Sequence, residues 1–134
     1  MDPRPTSPSR GTVLVVDDDP GIRESLREVL DSEGYRILEA GDGREALQQL
    51  DRLTERCVVL LDLAMPRMNG FEVLAELSQR GQADRTPVLV MSANAQQRDL
   101  DFPQVVALLR KPFELDELLR WVEVCSRPAG QSGS

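Results

Sequence analysis

Five side chains with chemistry to offer stand immediately after, or one residue beyond, apolar runs: Asp17 and Asp18 after Val13-Leu14-Val15-Val16, Asp62 after Cys57-Val58-Val59-Leu60-Leu61, Ser92 after Pro87-Val88-Leu89-Val90-Met91, and Lys111 beyond Val105-Val106-Ala107-Leu108-Leu109. A carboxylate delivered by a buried strand is costly unless something pairs with it. Three carboxylates within about 4 to 6 Å of one another repel by on the order of 4 kcal/mol per close pair at an effective dielectric near 20, so such a cluster asks for a cation. Hard oxygen ligands at a small open site favour Mg²⁺, which keeps waters and binds phosphoryl oxygens beside one or two carboxylates. Asp18 and Asp62 are the expected direct ligands, with Asp17 supporting them from behind.

A carboxylate is also a nucleophile. It forms an aspartyl phosphate when a metal and fixed donors neutralise the equatorial oxygens of a transferring phosphoryl group. In that reading Asp62 attacks, while Mg²⁺, the Lys111 ammonium and the Ser92 hydroxyl hold the oxygens. The chain contains no histidine, which removes the usual general base and any phosphohistidine of its own.

The elements that must position these groups alternate between strand and helix. Thr12-Val13-Leu14-Val15-Val16 is a continuous β-branched run, the pattern of a strand covered on both faces. Asp19 followed by Pro20 predicts an N-cap with proline in the first turn, and Ile22, Leu26, Val29 and Leu30 then recur at helical spacing up to Gly34. Tyr35–Glu39 predicts a second strand, Ala46, Leu47, Leu50 and Leu53 a second helix, Cys57–Leu61 a third strand, and Phe71, Leu74 and Leu77 a third helix closed by Gly81. A fourth strand over Pro87–Met91 precedes a stretch from Asn94 to Pro103 with little periodicity, where a fourth helix is short or irregular. Val105–Leu109 is a fifth strand, and Leu115, Leu118, Leu119 and Val122 mark a last helix whose stripe Trp121 and Val124 widen. Five such units predict a doubly wound α/β sandwich with a parallel sheet. In an open parallel sheet the strands' carboxyl ends share one rim, where ligands bind, so residues distant in sequence converge there.

Composition narrows the function. At 134 residues the chain supports one domain with a real core. A formal net charge of −7, with Lys and Arg scattered among acidic residues, argues against a direct nucleic-acid partner. No apolar run approaches a membrane span and the start carries no signal core, so a cytoplasmic setting without membrane attachment is expected. Cys57 and Cys125 fit no metal spacing and read as buried apolar residues. Residues 1–11, with three prolines among Ser, Thr and Arg, predict a disordered arm, and the Ser, Gly and Pro of 126–134 a disordered tail. The domain proper is then 12–125, and the absence of an output domain within the chain reads as a stand-alone module.

The ordered set Val-Val-Asp-Asp, Leu-Asp-Leu-Ala-Met-Pro-Arg-Met-Asn-Gly, Met-Ser-Ala and Lys-Pro-Phe resembles a response-regulator receiver domain over about residues 12–125. An acidic pair or a Lys-Pro means little by itself, since the former caps a helix and the latter lies on many surfaces. Together and in order they are specific. The resemblance implies a flavodoxin-like five-stranded parallel sheet in the order 2-1-3-4-5, and phosphorylation of Asp62 from the phosphohistidine of a sensor histidine kinase or histidine phosphotransfer protein. It further implies Asp17 and Asp18 as the Mg²⁺-holding pair, the Ala64 backbone carbonyl as a further ligand, Ser92 as the hydroxyl that moves toward the phosphoryl group, Lys111 as the cation that holds it, and a cis Lys111–Pro112 bond. Such a module switches an unknown downstream protein, and is no enzyme beyond phosphorylating and dephosphorylating its own Asp62.

Two departures touch the route by which receivers pass on their state. Leu108 stands three places before Lys111 where the family usually has an aromatic residue, and the span from Ser92 to Lys111 is shortened and contains Pro103. Phosphorylation is therefore expected to be retained while the output surface is atypical. Two other functions compete. A receiver-like scaffold would bind partners without phosphorylation. A phosphatase of the haloacid-dehalogenase kind would use Asp17 and Asp19, but Pro20 breaks its motif, no cap domain is present, and the Met-Pro turn after Asp62 would go unexplained.

Overall fold

The computed structural model describes residues 10–65, 68–81 and 85–126. Most of the predicted arm and tail, and Pro66 and Arg67 of the motif after Asp62, lie outside the described residues. Strand and helix alternate in the order β1 (Thr12–Val16), α1 (Pro20–Ser32), β2 (Arg36–Ala40), α2 (Gly43–Arg52), β3 (Cys57–Asp62), α3 (Gly70–Arg80), β4 (Val88–Ser92), a 3₁₀ turn (Gln97–Leu100), β5 (Val105–Arg110) and α4 (Leu115–Ser126). The strands form one parallel sheet in the order β2-β1-β3-β4-β5, as expected.

The continuous apolar strands follow from burial on both faces: every residue of β1 and β3 is buried. Alternate side chains go to opposite layers. Leu14, Val16, Val59, Leu61 and Val90 pack with Ala46, Leu50, Val73, Leu74 and Leu77 of α2 and α3. Val13, Val15, Val58, Leu60 and Leu89 pack with Leu26 and Leu30 of α1 and with Leu118, Val122 and Cys125 of α4. Both cysteines are free and buried, and burial pushes their thiols up, Cys57 to about 12 and Cys125 to about 11.

Local chemistry starts and stops the helices where the site needs them. The Asp19 side chain accepts from the amides of Gly21 and Ile22, with Pro20 in the first turn of α1. Asn69 and Glu72 form a reciprocal capping box at the start of α3, and Gly81 ends that helix in the left-handed region at φ 68°. The fourth helical unit is a single 3₁₀ turn whose Leu100 is buried beside α2 and α3. In its neighbourhood the wholly buried Gln104 donates from Nε2 to the Leu74 carbonyl at 2.7 Å, tying the entry of β5 to α3.

Some expectations are corrected. Ile22 and Phe71, assigned to apolar stripes, are 36% and 39% exposed, because Leu26 and Leu30 in α1 and Val73 in α3 make the core contacts. Arg10 and Gly11, assigned to the arm, are bonded into the fold: the Arg10 amide donates to Gly34 and the Gly11 carbonyl accepts from Arg36. Arg10 also lies over the Tyr35 ring at 5.0 Å and pairs with Glu33 and Glu123 at 3.5 Å. The edge strand β5 carries a bulge: Val88 pairs with Val105 and Leu89 with Ala107, which leaves Val106 unmatched and 43% exposed.

Candidate functional site

At the carboxyl rim, β1 releases Asp17 and Asp18, β3 ends in Asp62, β4 ends in Ser92, and β5 ends one residue before Lys111. Asp17 is fixed from three sides. Its amide donates to the Ala40 carbonyl at 3.1 Å, its Oδ1 accepts from the Asp19 amide at 2.9 Å, and its carbonyl accepts from Arg23 Nη1 at 2.6 Å. Its remaining oxygen, Oδ2, is buried without a hydrogen bond and faces Lys111 Nζ at 3.7 Å.

Asp62 is 5% exposed; its Oδ1 accepts from the Ala64 amide at 3.1 Å and lies 3.5 Å from Lys111 Nζ. Lys111 thus faces two buried carboxylates at once. Asp18 is exposed, and one oxygen from each of Asp17, Asp18 and Asp62 falls within 4.8 Å of the others. Burial is the main reason the Asp17 carboxyl is pushed above its ordinary value; the Asp19 amide and Lys111 oppose that shift, and the charges of Asp62 and Asp18 add to it.

Hard oxygens at this spacing, together with a buried Oδ2 that lacks a hydrogen bond, suit a small divalent cation. Ser92 Oγ accepts from the amides of Asn94 at 3.1 Å and Ala95 at 3.0 Å. The Lys111 amide donates to the Ser92 carbonyl, and the Lys111–Pro112 bond is cis. Every residue expected in the site therefore stands at one rim. Asp17, Asp18, Asp62 and Lys111 meet there directly, whereas Ala64 meets Asp62 through its amide.

Sequence reasoning missed two residues. Arg23, in the first turns of α1, holds the Asp17 carbonyl and pairs through Nε with Glu39 of β2 at 3.4 Å. Its signal was a cationic side chain six places after Asp17, close to a helix start. Gly70 is the other: a Cβ there would lie 2.7 Å from Leu63 Cα and 2.9 Å from the Asp62 carbonyl, so only glycine lets α3 begin against the loop that leaves β3.

A family model described as "Response regulator receiver domain" matches residues 13–123. The response regulator MprA of Mycolicibacterium vanbaalenii is 44% identical over 114 residues, 80% of this chain and 46% of that protein. The chain thus spans about half the length of the curated relatives it matches. Among solved structures, the response regulator TrrA of Thermotoga maritima in complex with Mg²⁺-BeF superposes with a TM-score of 0.75 at 34% identity, covering 86% of this chain and 98% of that one. The chemotaxis protein CheY4 of Vibrio cholerae gives 0.76 at 30% identity over the same shares. With matching sheet order, clustered aspartates and a family match over nearly the whole described chain, this protein belongs to the response regulator receiver domain family of two-component systems.

Proposed function

We propose that the chain is a phosphoacceptor switch in which Asp62 takes a phosphoryl group from a phosphohistidine on a sensor histidine kinase or histidine phosphotransfer protein. The observation that carries this reading is the Asp62 carboxylate, buried at the strand end, 3.5 Å from Lys111 Nζ and clustered with the oxygens of Asp17 and Asp18. An Asp62 oxygen attacks phosphorus, the phosphorus–nitrogen bond breaks, and the electron pair leaves with the donor's imidazole. Lys111 neutralises phosphoryl charge, and Ser92 turns its hydroxyl toward a phosphoryl oxygen, giving up the two amides it accepts from.

Asp18, Asp62 and the Ala64 carbonyl would hold Mg²⁺, with Asp17 behind them; bound there, the ion supplies positive charge against the phosphoryl oxygens. The neighbour TrrA in complex with Mg²⁺-BeF supports that assignment. Water later hydrolyses the acyl phosphate, so catalysis is confined to the protein's own Asp62. The phosphorylated conformer, favoured by the new contacts, binds a downstream protein in the cytoplasm.

A second reading, a scaffold that binds without phosphorylation, is favoured by Leu108 in place of an aromatic and by the single 3₁₀ turn before β5. Intact mass after treatment with acetyl phosphate and Mg²⁺ separates the two. Added phosphoryl mass that Asp62→Asn loses and Asp17→Asn retains supports the switch and excludes Asp17 as a haloacid-dehalogenase-like nucleophile. No added mass under conditions that label a control receiver selects the scaffold.

A further inference from the structure

We infer that Arg23 is a positioning residue for the cation site, setting Mg²⁺ affinity through the Asp17 carbonyl; the inference rests on the function proposed above. Each polar group of Asp17 has one task. The amide is used by Ala40, Oδ1 by the Asp19 amide, and Oδ2 faces Lys111 and the other carboxylates. The carbonyl is left, and Arg23 takes it at 2.6 Å.

That bond fixes the plane of the peptide joining Asp17 to Asp18. Asp18 is exposed, so the backbone on either side of it directs its carboxylate. The Asp19 cap holds the far side of that short segment, and Arg23 holds the near side. The guanidinium itself has little freedom: its side chain is 21% exposed and its Nε is paired with Glu39, which Arg27 also engages at 3.1 Å. A planar fork anchored on one edge presents its other edge at a fixed position, which a flexible ammonium does not do. Arg23 thereby joins the ends of β1 and β2 to the first turns of α1, and a carboxylate ligand is oriented from behind.

The test is a Mg²⁺ titration followed by amide NMR shifts of Asp18, Asp62 and Ala64, with wild type, Arg23→Met, Arg23→Gln and Glu39→Gln, all checked for a dispersed spectrum. Loss of such an outer contact typically costs 10- to 100-fold in metal affinity, and about 10-fold is expected for both Arg23 variants. Glu39→Gln removes the charge but keeps an acceptor oxygen for Arg23 Nε, so the anchor and the carbonyl bond both survive and affinity stays within about twofold of wild type by the same reasoning. Saturating Mg²⁺ restores the acetyl phosphate labelling rate of the Arg23 variants, because the reacting groups are intact. Wild-type affinity in either folded Arg23 variant overturns the inference. So does a loss in Glu39→Gln as large as in Arg23→Met, or a labelling rate that stays low at saturation. Wild-type protein that shows no Mg²⁺-dependent shifts overturns the proposed function, and this inference with it.

Discussion

The backbone amide of Lys111 donates to the carbonyl of Ser92 at 3.0 Å, continuing the β4–β5 ladder one step past Arg110. The hydroxyl of one strand end and the ammonium of the next are thus held in register by main chain, before any ligand arrives. The site is a product of strand pairing, and its electrostatics can be perturbed one residue at a time.

Lys111→Met removes the cation that, among the described residues, faces the carboxylates of both Asp17 and Asp62 within 4 Å. Two buried carboxylates are then left facing each other. The expected cost is about 1–3 kcal/mol in denaturant unfolding at neutral pH, the usual range for a buried polar group deprived of its partner. The Asp17 carboxyl, which Lys111 helps to hold down, moves further up, as carbon-13 NMR of the carboxyl would read.

Asp17 also makes stability depend on pH in a stated direction. Its folded-state carboxyl is raised above the ordinary aspartate value, chiefly by burial, so folding favours the protonated form. Its contribution is fully present below the unfolded value and is lost as pH rises through the raised folded value. In Mg²⁺-free buffer, Asp17→Asn is therefore more stable than wild type at neutral pH, and the gap narrows on acidification toward the unfolded value. Denaturation midpoints at several pH values check this; a gap that widens on acidification contradicts it.

Gly70→Ala drives a methyl group to 2.7 Å from Leu63 Cα and 2.9 Å from the Asp62 carbonyl, both of them backbone. Overpacking of this kind costs about 1–3 kcal/mol. Because the clash falls on the loop leaving Asp62, labelling by acetyl phosphate slows along with the loss of stability, and paired unfolding and labelling measurements on one sample read both.

Beryllofluoride tests how far a change at Asp62 travels. Leu108 pairs with Val90 and offers no aromatic ring to rotate, and only a 3₁₀ turn stands between β4 and β5. Amide shifts are expected to be large at Asp17–Asp19, Asp62–Ala64, Ser92–Ala95 and Lys111, and small along the 3₁₀ turn and β5. Strong shifts through those two elements would show that the usual route is intact.

Much of this geometry is legible in the sequence, because burial on both faces leaves an unmistakable run in Thr12–Val16 and Cys57–Leu61, and because the cap at Asp19 is local chemistry. The convergence of Asp17, Asp62 and Lys111 follows once the sheet is taken as parallel. What stayed hidden depends on partners far along the chain. A helix stripe shows which residues are apolar but not how wide the contact is, so the stripe takes in Phe71 although Val73 makes the contact. The partner of Arg23 is a main-chain carbonyl, which no residue type in the sequence marks, and the burial of Gln104 depends on its bond to the Leu74 carbonyl of α3. The close approach at Gly70 needs α3 and the β3 exit placed together.

The unmatched Val106 also shapes the open β5 edge of the sheet. An open sheet edge offers unpaired backbone groups to any passing extended chain, and flat edges are where fibrils begin. The extra residue in β5 breaks the two-residue alternation in mid-strand, so a chain that starts in register with Val105 is out of step by Ala107. On its β5 side the sheet thereby ends in an edge whose pairing pattern is broken in mid-strand, one of the devices by which natural sheets blunt edge-to-edge pairing.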